Sequence, residues 1–146
     1  MNISLLRPLE IGPLTNSVTQ WFGETRWVDY TPYGLAGHNG LDYGCPEGTP
    51  VRAAHDGVVN TIDEGAGGYG KYVLLNGNSF LTLYGHLSLF TRGQGELVKQ
   101  GDVIGLSGST GNSTGPHLHF GLKVLGMANP AYKNWVAPCP FRDISG

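Results

Sequence analysis

Residues 111–120 read GNSTGPHLHF, a glycine-rich loop that runs into a histidine-bearing apolar stretch ending at Val124. Successive side chains of a strand point to opposite faces, so His117 and His119 share one face and Leu118 lies on the other. The pattern predicts a strand over 117–124, with Leu118 toward a core and the two histidines toward a possible site.

Short β-branched stretches separated by glycine and proline continue along the chain. Glycine supplies 24 of the 146 residues and proline 9, and both residues destabilise helix interiors. The chain is therefore predicted to be all-β and mainly antiparallel, with a groove bordered by Gly-rich loops and little helix, namely one turn within 131–136. A hairpin is predicted across Asn76-Gly77-Asn78. Further strands are predicted over 17–22, 38–43, 51–54, 57–62, 71–76, 80–86 and 103–106.

Length and charge bound the organisation of the chain and its partners. A single domain over 17–146, preceded by an extended arm over 1–16, suits this length. The net charge is −2 and the cations are spread singly, which argues against a nucleic-acid partner. We expect no membrane span and no signal peptide. Cys45 and Cys139 are expected to be free thiols, a disulfide being the alternative, and Cys45 is not expected to bind metal.

Histidine and aspartate recur at spacings that suit a metal. His38 and Asp42 stand four residues apart, and an even spacing puts both on one face of a strand. A catalytic zinc takes three protein ligands and keeps one position open for water. Each motif alone is more often structural, but two predicted strands together offer His38, Asp42 and one or both of His117 and His119. Strand geometry does not choose between the last two.

Three ordered motifs resemble the LytM/lysostaphin family of zinc metallopeptidases, the M23 peptidases. The resemblance runs from about Val18 to Pro130, most of the chain, and rests on His38-x-x-x-Asp42, Tyr84-Gly85-His86-Leu87-Ser88 and residues 111–120. It implies one Zn²⁺ per chain and no other cofactor. The ligands it implies are His38, Asp42 and His119, and the catalytic histidines it implies are His86 and His117.

The resemblance also implies a reaction and a substrate. His117 would take the proton of the zinc-bound water, and His86 would donate a hydrogen bond to the oxyanion. The substrate would be a peptide bond in a peptidoglycan stem or cross-bridge, so the protein would act on the bacterial cell wall. Without a signal peptide we expect a phage lysin, borne on the virion with tail proteins as partners or released through a holin, rather than a trimmed secreted bacterial protein. The oligomeric state is left open.

Two other interpretations compete with the peptidase. One is a catalytically silent family member that serves as a structural or wall-binding module, which is disfavoured because all five site positions are filled. The other is a cupin-like or carbonic-anhydrase-like metal site, and the sequence after His119 lacks the glutamate of the cupin pattern. Outside the motifs, His55 is predicted in a turn or at the surface, and Asn39 is predicted to face away from the site. The candidate groove loops carry Trp27, Tyr33 and Tyr69.

Overall fold

The computed structural model describes residues 3–10, 17–26, 28–138 and, for the backbone alone, 141–142. Within these ranges the helical structure is confined to single 3-10 turns at Thr31–Tyr33 and Pro130–Tyr132. No helix in the described residues is long and apolar enough to cross a membrane. Their strands are β1 (Leu5–Leu6), β2 (Val18–Gln20), β3 (Leu41–Gly44), β4 (Pro50–Arg52), β5 (Gly57–Asp63), β6 (Lys71–Asn76), β7 (Phe80–Phe90), β8 (Leu97–Val98), β9 (Val103–Ser107), β10 (His117–Val124), β11 (Trp135–Val136) and β12 (Phe141–Arg142).

One large sheet carries almost the whole fold. Its strands run in the order β2-β3-β10-β7-β6-β5-β8, with β11 added to β10 and with β9 joining β4 to β7. Every pair in this sheet is antiparallel, and β1 and β12 form a separate parallel pair. The prediction of an all-β, mainly antiparallel domain is confirmed.

The core lies against one face of β10, as the alternation of the sequence predicts. Leu118 and Phe120 are fully buried, and Phe120 packs edge-on against Tyr84 of β7, with ring centroids 5.3 Å apart. The described part of the predicted N-terminal arm, residues 3–10, adds Leu5 and Leu9 to the same core. Apolar burial on this face orients the opposite face of β10, with its histidines, toward the site.

Several element boundaries differ from the sequence prediction. The strands over 71–76 and 117–124 are found as predicted, but the strand predicted over 38–43 begins only at Leu41. His38 therefore precedes the strand, because its backbone is hydrogen-bonded outside the sheet, to Gly23 and Glu24. The turn predicted within 131–136 is a 3-10 turn followed by β11. Trp27 and Cys139 lie outside the described residues.

His55 is buried, so of the two predicted positions the surface is wrong, whereas the turn agrees with the structure. It stands in the bend between β4 and β5, and its Nε2 lies 2.8 Å from Thr82 Oγ1. Thr82 Oγ1 is in turn 2.8 Å from Tyr84 Oη, which accepts a hydrogen bond from the Ala54 amide. His55 Nδ1–H donates to the Asp56 carbonyl at 2.8 Å. The local sequence is typical of a turn, and the partner that draws the ring inward is 27 residues away.

Candidate active site

The pairing of β3 with β10 creates the site. Asp42 lies directly opposite His119 in the register, so their side chains project from the same face of the sheet. His38 reaches this face from the segment just before β3, where its N–H donates to the Glu24 carbonyl at 2.9 Å. Gly40 makes the approach possible, because a side chain there would collide with the Phe120 carbonyl and lie 2.8 Å from His119 Cε1.

Three donor atoms converge in this corner. His38 Nε2 lies 3.1 Å and His119 Nδ1 lies 3.0 Å from Oδ1 of Asp42. One ligand atom from each of the three residues can be chosen so that all lie within 4.8 Å of one another. Tetrahedral zinc with bonds of about 2.0–2.1 Å holds its ligands roughly 3.3 Å apart, so the two distances to Asp42 suit a zinc site.

His38 Nε2 supplies an independent test of the fit. This nitrogen is buried and has no hydrogen-bond partner among the described residues, because its short contact with Asp42 lacks hydrogen-bond geometry. An orphaned buried nitrogen is costly unless something else binds it. Two imidazoles and a carboxylate form a donor set that zinc accepts, and the three residues therefore fit the metal that the sequence predicts.

Electrostatics keep the carboxylate charged. Burial alone would raise the pKa of Asp42, but the hydrogen bond from His119 and the adjacent His38 ring outweigh burial and hold that pKa well below its ordinary value. Burial lowers the pKa of His119, which favours the neutral imidazole. A charged carboxylate with neutral imidazoles is the protonation state in which these groups bind a metal.

A β-bulge aims His86 at the same corner. Lys71 pairs with Leu87 and Val73 with Tyr84, so β7 has one residue more than β6 across this interval. His86 takes up the extra residue with a left-handed φ of 62°, and its N–H donates to the Tyr69 carbonyl. Without the bulge, strand alternation would turn the His86 side chain to the core face, where Tyr84 lies.

His86 and His117 carry their protons on the side away from Asp42. His86 Nδ1–H donates to the Thr110 carbonyl at 2.6 Å, and His117 Nδ1–H donates to the Gly115 carbonyl at 2.9 Å. A carbonyl only accepts, so in each neutral ring the Nε2 atom keeps its lone pair. The ring centroids are 4.5 Å apart and His117 Nε2 is 3.8 Å from Asp42 Oδ2. Burial lowers the pKa of His86 to about 4, so this ring is neutral near pH 7.

A tyrosine supports each of the two histidines next to Asp42. Tyr30 Oη is 2.9 Å from His38 Nδ1 and accepts a hydrogen bond from the Gln20 side chain at 2.7 Å. Burial raises the pKa of Tyr30 to about 12, so its hydroxyl keeps its proton. Gln20 and Tyr30 are not predicted from the sequence, because they stand in no motif and lie 18 and 8 residues before His38.

Tyr69 lies against the other histidine. Its ring stacks on His119, with centroids 5.1 Å apart and an interplanar angle of 28°. The Asn39 side chain donates to Tyr69 Oη at 2.9 Å. The prediction that Asn39 faces away is therefore wrong, because this residue precedes β3 and does not follow strand alternation.

The glycine-rich loops meet around this corner. In the loop over 108–116, the Asn112 N–H donates to the Gly68 carbonyl at 2.8 Å and the Asn112 side chain donates to Tyr33 Oη at 3.0 Å. Gly111 permits the approach of this loop to the loop over 64–70, because a side chain there would collide with the Gly70 amide nitrogen. The loops over 28–37, 64–70 and 108–116 are thus connected to one another and border the histidine cluster.

Two known proteins are similar in sequence to about two thirds of this chain. The DD-carboxypeptidase/endopeptidase Mpg of Neisseria meningitidis serogroup B is 52% identical over 95 residues, which are 64% of this chain and 22% of that protein. The peptidoglycan DD-endopeptidase ShyA of Vibrio cholerae serotype O1 is 45% identical over 100 residues, which are 68% of this chain and 23% of that protein. The chain thus spans less than a quarter of the length of either relative.

The chain is also similar to a solved structure, and it matches the profile of a protein family. The catalytic domain of the antimicrobial peptidase lysostaphin from Staphylococcus simulans superposes with a TM-score of 0.69 at 31% identity. This superposition covers 84% of the present chain and 89% of that domain. The profile of peptidase family M23 matches residues 36–131, a range that contains all five histidine and aspartate positions of the site. The chain belongs to peptidase family M23.

Proposed function

We propose that the chain is a zinc-dependent endopeptidase that hydrolyses peptide bonds in peptidoglycan stems or cross-bridges, with one Zn²⁺ per chain. The observation that carries the proposal is the convergence of His38 Nε2, Asp42 Oδ1 and His119 Nδ1 beside two further histidines. These three residues would be the metal ligands. The names of Mpg and ShyA, both endopeptidases, support the reaction class, and the name of ShyA supports the substrate.

The bound metal would polarise the scissile carbonyl and lower the pKa of a water molecule beside it. The work of the protein is then to hold and move a proton. His117 is suited to accept it, because Nδ1–H is engaged by the Gly115 carbonyl and the lone pair of Nε2 remains free. The Gly115 carbonyl also stabilises the imidazolium that results, since it accepts from Nδ1–H in either charge state.

His86 has the same arrangement of protons, and this refines its expected role. A neutral His86 donates from Nδ1 to the Thr110 carbonyl, so its Nε2 accepts rather than donates. The hydrogen bond to the oxyanion that we expect from His86 is therefore available only after the ring takes up a proton. We propose that His117 and His86, whose rings are neighbours, share proton transfer in the reaction.

The test is digestion of purified peptidoglycans with direct cross-links and with peptide bridges, and identification of the products by mass spectrometry. We expect a released cross-link peptide, loss of activity with a zinc chelator, and recovery on addition of Zn²⁺. The Asp42→Asn variant should lose activity and metal together, whereas the matched control Asp63→Asn, an exposed carboxylate at the end of β5, should retain both.

Three results would count against parts of the proposal. Cleavage that persists without metal would overturn the zinc mechanism, and a near-native rate for His86→Ala or His117→Ala would remove that histidine from it. A chain that binds zinc and cleaves no type of wall would favour the silent structural or wall-binding module. The phage setting, with tail proteins as partners, stays a prediction from the sequence, and mass spectrometry of purified virions tests it.

A further inference from the structure

The neutral His38 ring has two tautomers, with its proton on Nδ1 or on Nε2. A metal bound at Nε2 needs the lone pair of that nitrogen, which leaves the proton of the neutral ring on Nδ1. The other tautomer has its proton on Nε2, only 3.1 Å from the charged Oδ1 of Asp42. In the metal-free site, a small reorientation of the ring would give that second tautomer a charge-assisted hydrogen bond to Asp42. Its proton would then occupy the nitrogen that the metal requires.

Tyr30 provides the opposing interaction. Its Oη lies 2.9 Å from His38 Nδ1 and can accept the proton of the metal-binding tautomer. The Gln20 side chain donates to the same oxygen at 2.7 Å. Gln20 is buried on β2, where it pairs with Asp42 of β3, so the sheet itself holds the amide that tethers the Tyr30 hydroxyl.

We propose that Tyr30, tethered by Gln20, is a positioning residue that keeps the proton of His38 on Nδ1 and so keeps Nε2 ready for the metal. The inference rests on the proposed zinc site and concerns its affinity rather than the reaction. Neither Gln20 nor Tyr30 donates an atom to the metal, and both act through the orientation and tautomer of one ligand. Loss of such a partner typically weakens metal binding by about 10- to 100-fold.

The affinity of the metal-depleted chain, residues 1–146, for Zn²⁺ tests the proposal, measured by competition with a chromogenic chelator. We expect Tyr30→Phe to raise the Kd for Zn²⁺ by about 10- to 100-fold. The matched control is Tyr33→Phe, in the same loop, whose hydroxyl accepts from Asn112 rather than from a ligand. Its Kd should equal that of the unmodified chain.

Tautomer and coupling measurements separate positioning from simple loss of stability. In ¹⁵N-edited spectra of the metal-free protein we expect the His38 proton on Nδ1, and on Nε2 in Tyr30→Phe. Gln20→Met should weaken Zn²⁺ binding less than Tyr30→Phe does. Combined with Tyr30→Phe it should change the Kd by no more than about twofold further, because Gln20 acts through Tyr30.

The outcomes distinguish this inference from the proposed function. If the unmodified chain does not bind Zn²⁺, the zinc site itself is overturned. If the unmodified chain binds Zn²⁺ and Tyr30→Phe keeps both the same Kd and the same tautomer, the role of Tyr30 is overturned while the zinc site stands. Additive losses in the double variant would overturn the action of Gln20 through Tyr30.

Discussion

At the scale of single residues, His86 carries an unusual backbone conformation. Its φ of 62° lies in the left-handed region, which costs a residue with a Cβ about 1–2 kcal/mol, whereas glycine adopts it freely. The bulge that aims His86 at the site thus reduces stability, as expected where function rather than folding selects the conformation.

We therefore expect His86→Gly to be more stable than His86→Ala by roughly 0.5–1 kcal/mol, although glycine is normally the worse strand residue. Urea unfolding of the two metal-free variants measures the difference. The matched pair is Leu89→Gly and Leu89→Ala, at an exposed position of the same strand outside the left-handed region, where alanine should be the more stable. The same order at both positions would contradict the idea that residue 86 is strained.

The sequence contains a recognisable pattern for the candidate site residues, but it contains no such pattern for the residues that support them. Spacing points to His38 and Asp42 but does not choose between His117 and His119, and only the resemblance to the M23 peptidases implies His119 as the third ligand. The fold brings His38, Asp42 and His119 together, and their roles stay proposals. Tyr30 and Gln20 could not be predicted, because their proposed role depends on a distance across the fold and not on a spacing in the chain. The contact of Thr110 with His86 could not be predicted either, because the group involved is a backbone carbonyl, which every residue possesses.

At the scale of elements, the loop over 108–116 and the bulge of β7 are joined by Thr110. Its Oγ1 donates to the Leu87 carbonyl at 2.6 Å and accepts from the Lys71 N–H at 3.1 Å. These two bonds fix the loop to both strands beside the bulge, and the Thr110 carbonyl is thereby held 2.6 Å from His86 Nδ1. The orientation of His86 depends on a side chain that never touches it.

Thr110→Val keeps the shape of the side chain and removes both hydrogen bonds. We expect kcat/KM for the proposed peptidoglycan hydrolysis to fall by roughly 10- to 100-fold, because a small displacement of His86 would be costly if it has the proposed catalytic role. The affinity for Zn²⁺ should not change, since Thr110 contacts none of the candidate ligands. Thr110→Ser retains the hydroxyl and should recover most of the rate. Full activity of the valine variant would show that the loop needs no such anchor.

Strands could be predicted where an apolar pattern extends over many residues, and could not be predicted where a strand pairs over only two residues. β10 has the predicted bounds because its apolar residues alternate along the strand, and β6 has them because a short apolar run, Tyr72–Leu75, is bounded by Lys71 and Asn76. β8 and β11 are two residues long and leave no periodic signal, since only their partner strands define them. The bulge at His86 could not be predicted for a related reason. It is a difference in residue number between two paired strands, so neither strand's sequence shows it alone.

At the scale of the whole molecule, buried histidines link stability to pH. Burial lowers the pKa of His55 from its ordinary value of 6.5, even though Asp56 opposes the shift. The unfolded chain then binds protons that the folded chain does not, so the stability contributed by neutral His55 is present above pH 6.5 and is lost as the pH falls toward the folded pKa. His86 and His119 act in the same direction.

For the metal-free protein, we expect His55→Gln to make the fall in unfolding free energy between about pH 6.5 and pH 5 shallower without abolishing it. Thr82→Val is the matched control, because it removes the hydrogen bond to His55 Nε2 but leaves the titrating group in place. That variant should be less stable throughout and keep a pH slope. Denaturant unfolding over this pH range checks both, and an unchanged slope in His55→Gln would refute the assignment.

The register between β3 and β10 has a consequence for the order of folding. Asp42 and His119 are 77 residues apart in the chain, and closing a loop of that length costs about 4 kcal/mol in chain entropy. β10 is also an interior strand of the sheet, with β3 on one side and β7 on the other. The three candidate ligands come together only after this distant pairing has formed, so a partly folded chain without it has no metal site. The proposed hydrolytic activity therefore requires that the pairing of β3 with β10 is complete.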